Sequence, residues 1–251
     1  MIYKFLFFIL SNFTLWIVDN IIAKKLNHRW FCLHAFANLV ITITSISGLI
    51  NSFNDPVNAM NSIVYPESND IISPSSSIPI CMINAIHFYH VVFFNLNKED
   101  TFHHFLFGLF IGLPGFYYHW GALRNFLSFT ICGFPGLIDY TNLLLVKQNL
   151  MLKQTQKKIC SFLNCWIRAP LIILEVFMHF IAFKYSTTTV PLPINILVGV
   201  LGFYNGLHYL QSSIINTIDD NILDAIEEAV NTVSLDPSSN FLTADITYEF
   251  R

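Results

Sequence analysis

The chain has 251 residues, of which 54% are hydrophobic and 12% charged, and its mean hydropathy is +0.54. A soluble domain carries about a quarter charged residues, so the charged surface of a water-soluble globule is largely missing. The net charge of −3 leaves no basic stripe to neutralise phosphates, which argues against a nucleic-acid partner.

Apolar segments recur near 2–22, 30–50, 78–97, 102–120, 121–145, 162–183 and 190–212. Each reaches about 20 residues, the length that crosses a ~30 Å hydrocarbon layer. In lipid only helices satisfy their own backbone polar groups, so the pattern predicts an all-α polytopic transmembrane bundle of about seven spans. The first segment begins with Lys4 like a signal peptide, but no small-x-small cleavage site precedes Asp19, and an uncleaved helix is expected. The 23–29 loop holds Lys24, Lys25 and Arg29, and the 146–161 loop holds Lys147, Lys153, Lys157 and Lys158. The 51–77 loop has neither Lys nor Arg, and its Pro56, Pro66, Pro74 and Ser75–Ser77 predict a mobile non-cytosolic connector. Basic loops stay on the cytosolic side, which puts the N-terminus outside and the C-terminus in the cytosol. From about 217, Ile222, Ile226, Val230 and Val233 share a face among Asp219, Asp220, Asp224, Glu227 and Glu228, predicting a short acidic amphipathic helix that ends before Pro237. The organisation expected is residues 1–29 as first helix with a basic loop, 30–212 as membrane core and 213–251 as cytosolic acidic tail.

Within the spans, polar residues recur at helical spacing, as on the inward faces of a bundle. The run NAIHFYHVVFFNLNKEDTFHHFLFG places His87, His90, His103 and His104 in a membrane-grade stretch. His34, Asn38, Thr42 and Ser45 mark the second span, and Ser128, Cys132 and Asp139 the fifth. Arg168, Glu175 and His179 mark the sixth, and Asn195, Asn205 and His208 the seventh. Ionisable groups are costly in a bilayer, so they mark a functional site around a polar or water-filled interior. Asn38, Thr42, Ser128, Asn195 and Asn205 read as interhelical hydrogen bonds, and Arg168 as snorkelling toward the cytosolic interface. GLPG at Gly112–Gly115 and GFPG at Gly133–Gly136 break two spans, either as kinks for close packing or as flanks of a binding site. The five cysteines contain no CxxC pair and read as small hydrophobes.

HRWFCLHAFANLV opening the second span, the pair His103 and His104 just after NKED, and the later Asp139 with Lys147 give the chain a resemblance to the TLC-domain superfamily. That superfamily includes ceramide synthases, translocon-associated proteins and lipid-homeostasis proteins. The resemblance covers roughly residues 28–212 and implies helices around a lipid-accepting cavity in the endoplasmic reticulum. Ceramide synthases follow their histidine pair with His-Asp-x-x-Asp; the comparable stretch here reads PGLID, and only Asp139 matches.

Three functions compete. The preferred one is lipid binding for membrane-lipid homeostasis, with His34, His87, His90, Arg168, Glu175 and His179 holding a lipid and no cofactor required. The second is an acyltransferase, with acyl-CoA as co-substrate, His103 or His104 as base or nucleophile, and Asp139 steadying the imidazolium. The third, a metal or haem protein built on His87, His90, His103 and His104, ranks last because neither HxxxH nor HxxHH occurs there, and no metal ligand is assigned. The partner expected is a membrane lipid; a homo-oligomer is left open.

Overall fold

The computed structural model describes residues 1–234, which hold helices and no strand beyond an isolated bridge. Helical rods succeed one another as α1 (Ile2–Ala23), α2 (Arg29–Asn54), α3 (Ile78–Phe93), α4 (98–117), α5 (Leu123–Lys147), α6 (Lys153–Tyr185) and α7 (Leu192–Ser234). Four of them, α1, α2, α5 and α6, are long and apolar enough to cross a membrane, and α3 is apolar with 16 residues. The all-helical, membrane-type class is therefore shown with four helices of crossing length. The seventh rod runs unbroken to Ser234, so the segment from 217 to 234 continues α7 rather than forming a separate short helix. The stop before Pro237 and residues 235–251 of the acidic tail lie outside the described residues.

Polarity is inverted relative to a soluble protein. On α1, Phe5, Leu6, Ile9, Phe13 and Trp16 are exposed, while Lys4, Ser11 and Asp19 are buried. In water that surface would be an aggregation liability; against acyl chains it is the low-energy arrangement. α2 is central, packed on α3 and α5, with α1 against α3 and α6 against α7. Leu15, Leu33, Ala37, Ile41, Ala85 and Ile86 form the apolar seam between α1, α2 and α3. Thr42, Thr44 and Ser128 return their hydroxyls to carbonyls one turn back on their own helices. The interhelical role expected for Thr42 and Ser128 is thus replaced by a local one, because the nearest acceptor is always the preceding turn.

Four rods contain i→i+5 turns among the described residues: one ends α1 at Asp19–Ala23, and three, at Gly108–Gly112, Phe129–Gly133 and Asn164–Arg168, are each followed two residues later by Pro114, Pro135 or Pro170. A proline returns no N–H to the carbonyl four residues back and crowds it, and a wider turn relieves the crowding. Gly112 and Gly136 let backbones approach: a Cβ there would run into the side-chain amides of Asn84 on α3 and Asn38 on α2. The GLPG and GFPG breaks therefore bend and pack at once.

The 55–77 loop is tied down, contrary to its expected role as a connector. Ala59 and Met60 are buried among Trp120, Leu123, Phe126 and Met178. The Ala59 carbonyl accepts from the amides of Ala122 (2.8 Å) and Leu123 (3.3 Å), capping the start of α5. Gly121 makes this possible with φ +58, since a Cβ would collide with Ala59. Ser75, Ser76 and Ser77 are buried, so the serine run is an internal hydrogen-bonding strip.

Candidate functional site

All of α2 to α7 contribute to one cavity of about 350 Å³ inside the bundle. His34, His87, His103, His104, Asp139, Arg168, Glu175 and His179 all line it. His90 lies behind the lining, its ring stacked on Trp30 at 3.9 Å and 13° and lying 4.6 Å from His34. The pair on α4 is positioned by a cap: the Asn97 side chain accepts from the Asp100 amide at 2.7 Å, starting the helix at NKED. One turn later His103 and His104 face His87, with ring centres 5.8 and 5.0 Å apart. His34 stacks on Tyr140 of α5 at 4.1 Å, an arrangement that sequence spacing alone does not indicate.

For neutral rings, the partners assign the tautomers. A carbonyl can only accept, so His87 Nδ1 donates to Ile83 O at 2.7 Å and His104 Nδ1 donates to Asp100 O at 2.7 Å. His104 Nε2 is then an acceptor, and His90 Nδ1, 3.3 Å away, is its donor. The relay ends on His90 Nε2, which is left as a lone pair. Among the described residues no partner reaches His90 Nε2 or His34 Nε2, both buried. At the histidine end of the cavity the His87 tautomer leaves Nε2 as an acceptor, which suits a ligand that brings a hydrogen-bond donor. Among the described residues no three His, Cys, Asp or Glu groups converge as a metal site.

Asp139 shares the cavity with His103 and His104, but its carboxylate accepts from Gln156 Nε2 at 2.9 Å. Arg168 does not snorkel outward. Its guanidinium stays inside, donating to Ile131 O at 2.8 Å and Asn205 Oδ1 at 3.3 Å and stacking 3.9 Å from the Tyr209 ring. Ile131 is four residues before Pro135, so the proline that denies this carbonyl a helical partner creates the acceptor that turns Arg168 inward. Asn205 does make the interhelical bond expected of it.

A second hollow of about 460 Å³ opens between α1, α3 and α4, lined by Phe5, Phe8, Phe88, Val91, Phe105, Leu109 and Phe116. His87 and His104 line both spaces, so the apolar hollow and the polar cavity meet at these rings.

The loop carries a separate charge assembly. Glu67 pairs with Lys4 at 2.8 Å and Arg124 at 2.6 Å, and Ser77 Oγ donates to it at 3.1 Å. Arg124 also donates to Ser75 O (2.9 Å) and Ser76 O (3.0 Å), and Lys4 to Phe116 O (2.7 Å). Burial works against ionisation of Glu67, but His119, Arg124 and Lys4 override it and hold the carboxyl well below the usual carboxylate range. A lone arginine in an apolar stretch was the available signal for Arg124; nothing in the sequence joins it to Glu67.

No protein-family model matches the chain, and no curated protein and no solved structure matches it either.

Proposed function

We propose that this is a multi-pass membrane protein that binds a lipid, with its polar group in the cavity and a chain in the apolar hollow, in service of membrane-lipid homeostasis. The observation that carries the reading is the junction: His87 and His104 belong both to a polar interior and to an apolar hollow lined by Phe5, Phe88 and Phe105. An amphipathic molecule meets both environments at that boundary, whereas a water-soluble solute has no use for the hollow. The reading goes with seven crossings, an external N-terminus, a cytosolic C-terminus, a TLC-like bundle and residence in the endoplasmic reticulum. Protease access to terminal tags in sealed microsomes tests the orientation.

The test of function is retention of lipid by purified protein. Wild type in mild detergent is expected to keep a defined acyl lipid through washing. His87→Ala, which removes the acceptor Nε2 from the junction, is expected to weaken retention roughly fivefold, about 1 kcal/mol for one hydrogen-bonding group. Wild-type protein that keeps only the bulk lipid mixture would remove the proposal.

Acyl transfer from acyl-CoA is the second reading, favoured by one observation: the Asp100 carbonyl fixes the His104 tautomer with Nε2 as acceptor, the form a general base needs. Against it, His90 Nδ1 already donates to the His104 Nε2 lone pair, and Asp139 is engaged by Gln156. Loss of all turnover in His104→Ala, with wild type active on an acyl-CoA, would install this reading in place of binding.

A further inference from the structure

The far end of the cavity holds a pair whose geometry specifies what it lacks. Glu175 and His179 lie one turn apart on α6, each 2% exposed, and both line the cavity. His179 Nε2 lies 3.1 Å from the Asn195 carbonyl, which can only accept, so Nε2 carries the hydrogen. In the neutral ring, Nδ1 is then a lone pair. It faces Glu175 Oε1 at 3.8 Å, beyond hydrogen-bond reach, so even a hydrogen on the carboxyl does not join them. Among the described residues no donor reaches Oε1. Trp120 fixes the arrangement by stacking on the imidazole at 5.4 Å while its indole N–H donates to Pro114 O at 3.0 Å.

The His179 Nδ1 lone pair beside the unpartnered Glu175 carboxyl, at the wall of the cavity, is complementary to a group that can donate to Nδ1 while it meets the carboxyl. We propose that Glu175 and His179 form a polar subsite for a hydroxyl or ammonium group borne on an aliphatic chain, and that it discriminates against carboxylates and phosphates. An anionic group would have to leave water for a low-dielectric subsite that holds no cation among the described residues, and it has no hydrogen to give to His179 Nδ1. This deepens the lipid-binding proposal and rests on it: it names the class of polar group that the cavity's inner end accepts.

The experiment uses the full chain in nanodiscs and three chain-matched probes: palmityl alcohol, palmityl amine and palmitic acid. Native mass spectrometry reads retention. Alcohol, amine or both are expected to be held at least about tenfold more tightly than the acid, a difference of ~1.4 kcal/mol. Glu175→Gln is expected to lose that preference without loss of thermal stability, because an amide of the same shape brings N–H donors from which a carboxylate can accept. His179→Phe, which keeps a ring against Trp120, is the second variant, with the same expected loss. Equal retention of the three probes by wild type, or an unchanged preference in both variants, would overturn the subsite while leaving lipid binding standing. Retention of none of the probes, together with absence of a co-purified lipid, would overturn both. Discrimination by alcohol alone or amine alone identifies which donor the subsite takes.

Discussion

The assembly around Glu67 and the lining of the cavity treat buried polarity differently. Under the loop, Lys4, Glu67 and Arg124 join three distant parts of the chain and spend most of their hydrogen-bonding capacity on one another and on backbone carbonyls. In and just behind the cavity wall, His34 Nε2, His90 Nε2 and Glu175 Oε1 are buried with no partner among the described residues. An unmade buried hydrogen bond costs ~1–3 kcal/mol, so each of these groups is a standing expense to the fold. Polarity under the loop holds the bundle end shut. On the proposed lipid-binding reading, polarity in the cavity is kept in reserve for a ligand.

The contrast can be broken most directly at Arg124. Arg124→Ala leaves Lys4 and Glu67 without their hub and strips Ser75 and Ser76 of a donor. The expected loss is about 2 kcal/mol in chemical denaturation, below the ~3–5 of a fully buried pair because the Glu67 side chain is 31% exposed. A loss within experimental error would mean that the loop is held by its apolar contacts alone. Next in size is Gly48→Ala, which drives a Cβ into Asn125 and into the carbonyls of Pro74 and Ala122. Backbone must shift to admit it, and a cost of ~1–3 kcal/mol is expected by the same measurement.

An opposite sign is expected away from the loop. Both polar atoms of the Asn195 side chain are buried without partners among the described residues, so Asn195→Leu should leave stability unchanged or raise it by about 1 kcal/mol. A clear destabilisation would show that Asn195 belongs with the paired groups. The smallest effect is in pH. Glu67 has its carboxyl depressed in the fold, so its contribution is complete above the usual carboxylate range and disappears as pH falls through the lower folded value. Proteolysis within 55–77 should therefore rise progressively as pH falls below the usual carboxylate range, and Glu67→Gln should flatten that dependence.

Sequence alone carried the helical class, the positions of the apolar segments and most of the polar lining of the cavity, because membrane length and 3.6-residue spacing are local properties. His103 and His104 were legible for the same reason, with the NKED cap setting where their helix begins. Tyr140, Trp30 and the Glu67 assembly were not. Lys4 and Glu67 are far apart in the chain, and only the folded topology brings their ends together. The Pro- and Ser-rich loop was misread because turn chemistry reports a break in helix, not what its carbonyls will bind. Arg168 was misread because snorkelling assumes that no acceptor lies nearby, and Pro135 supplies one from another helix.

The wide turns ahead of Pro114, Pro135 and Pro170 have a further consequence for phase. Each accommodates an extra residue within a helical rod, and one residue in an α-helix corresponds to about 100° of rotation. Beyond the turn at Phe129–Gly133 lie Asp139 and Tyr140, both on the cavity wall. Deleting a single residue there would leave the rod long enough to cross the bilayer, but it would swing that half of α5 around its own axis and present Asp139 to acyl chains. The polar lining is thus indexed by a local change of pitch, and a chain of nearly unchanged hydropathy would lose its interior by losing one count.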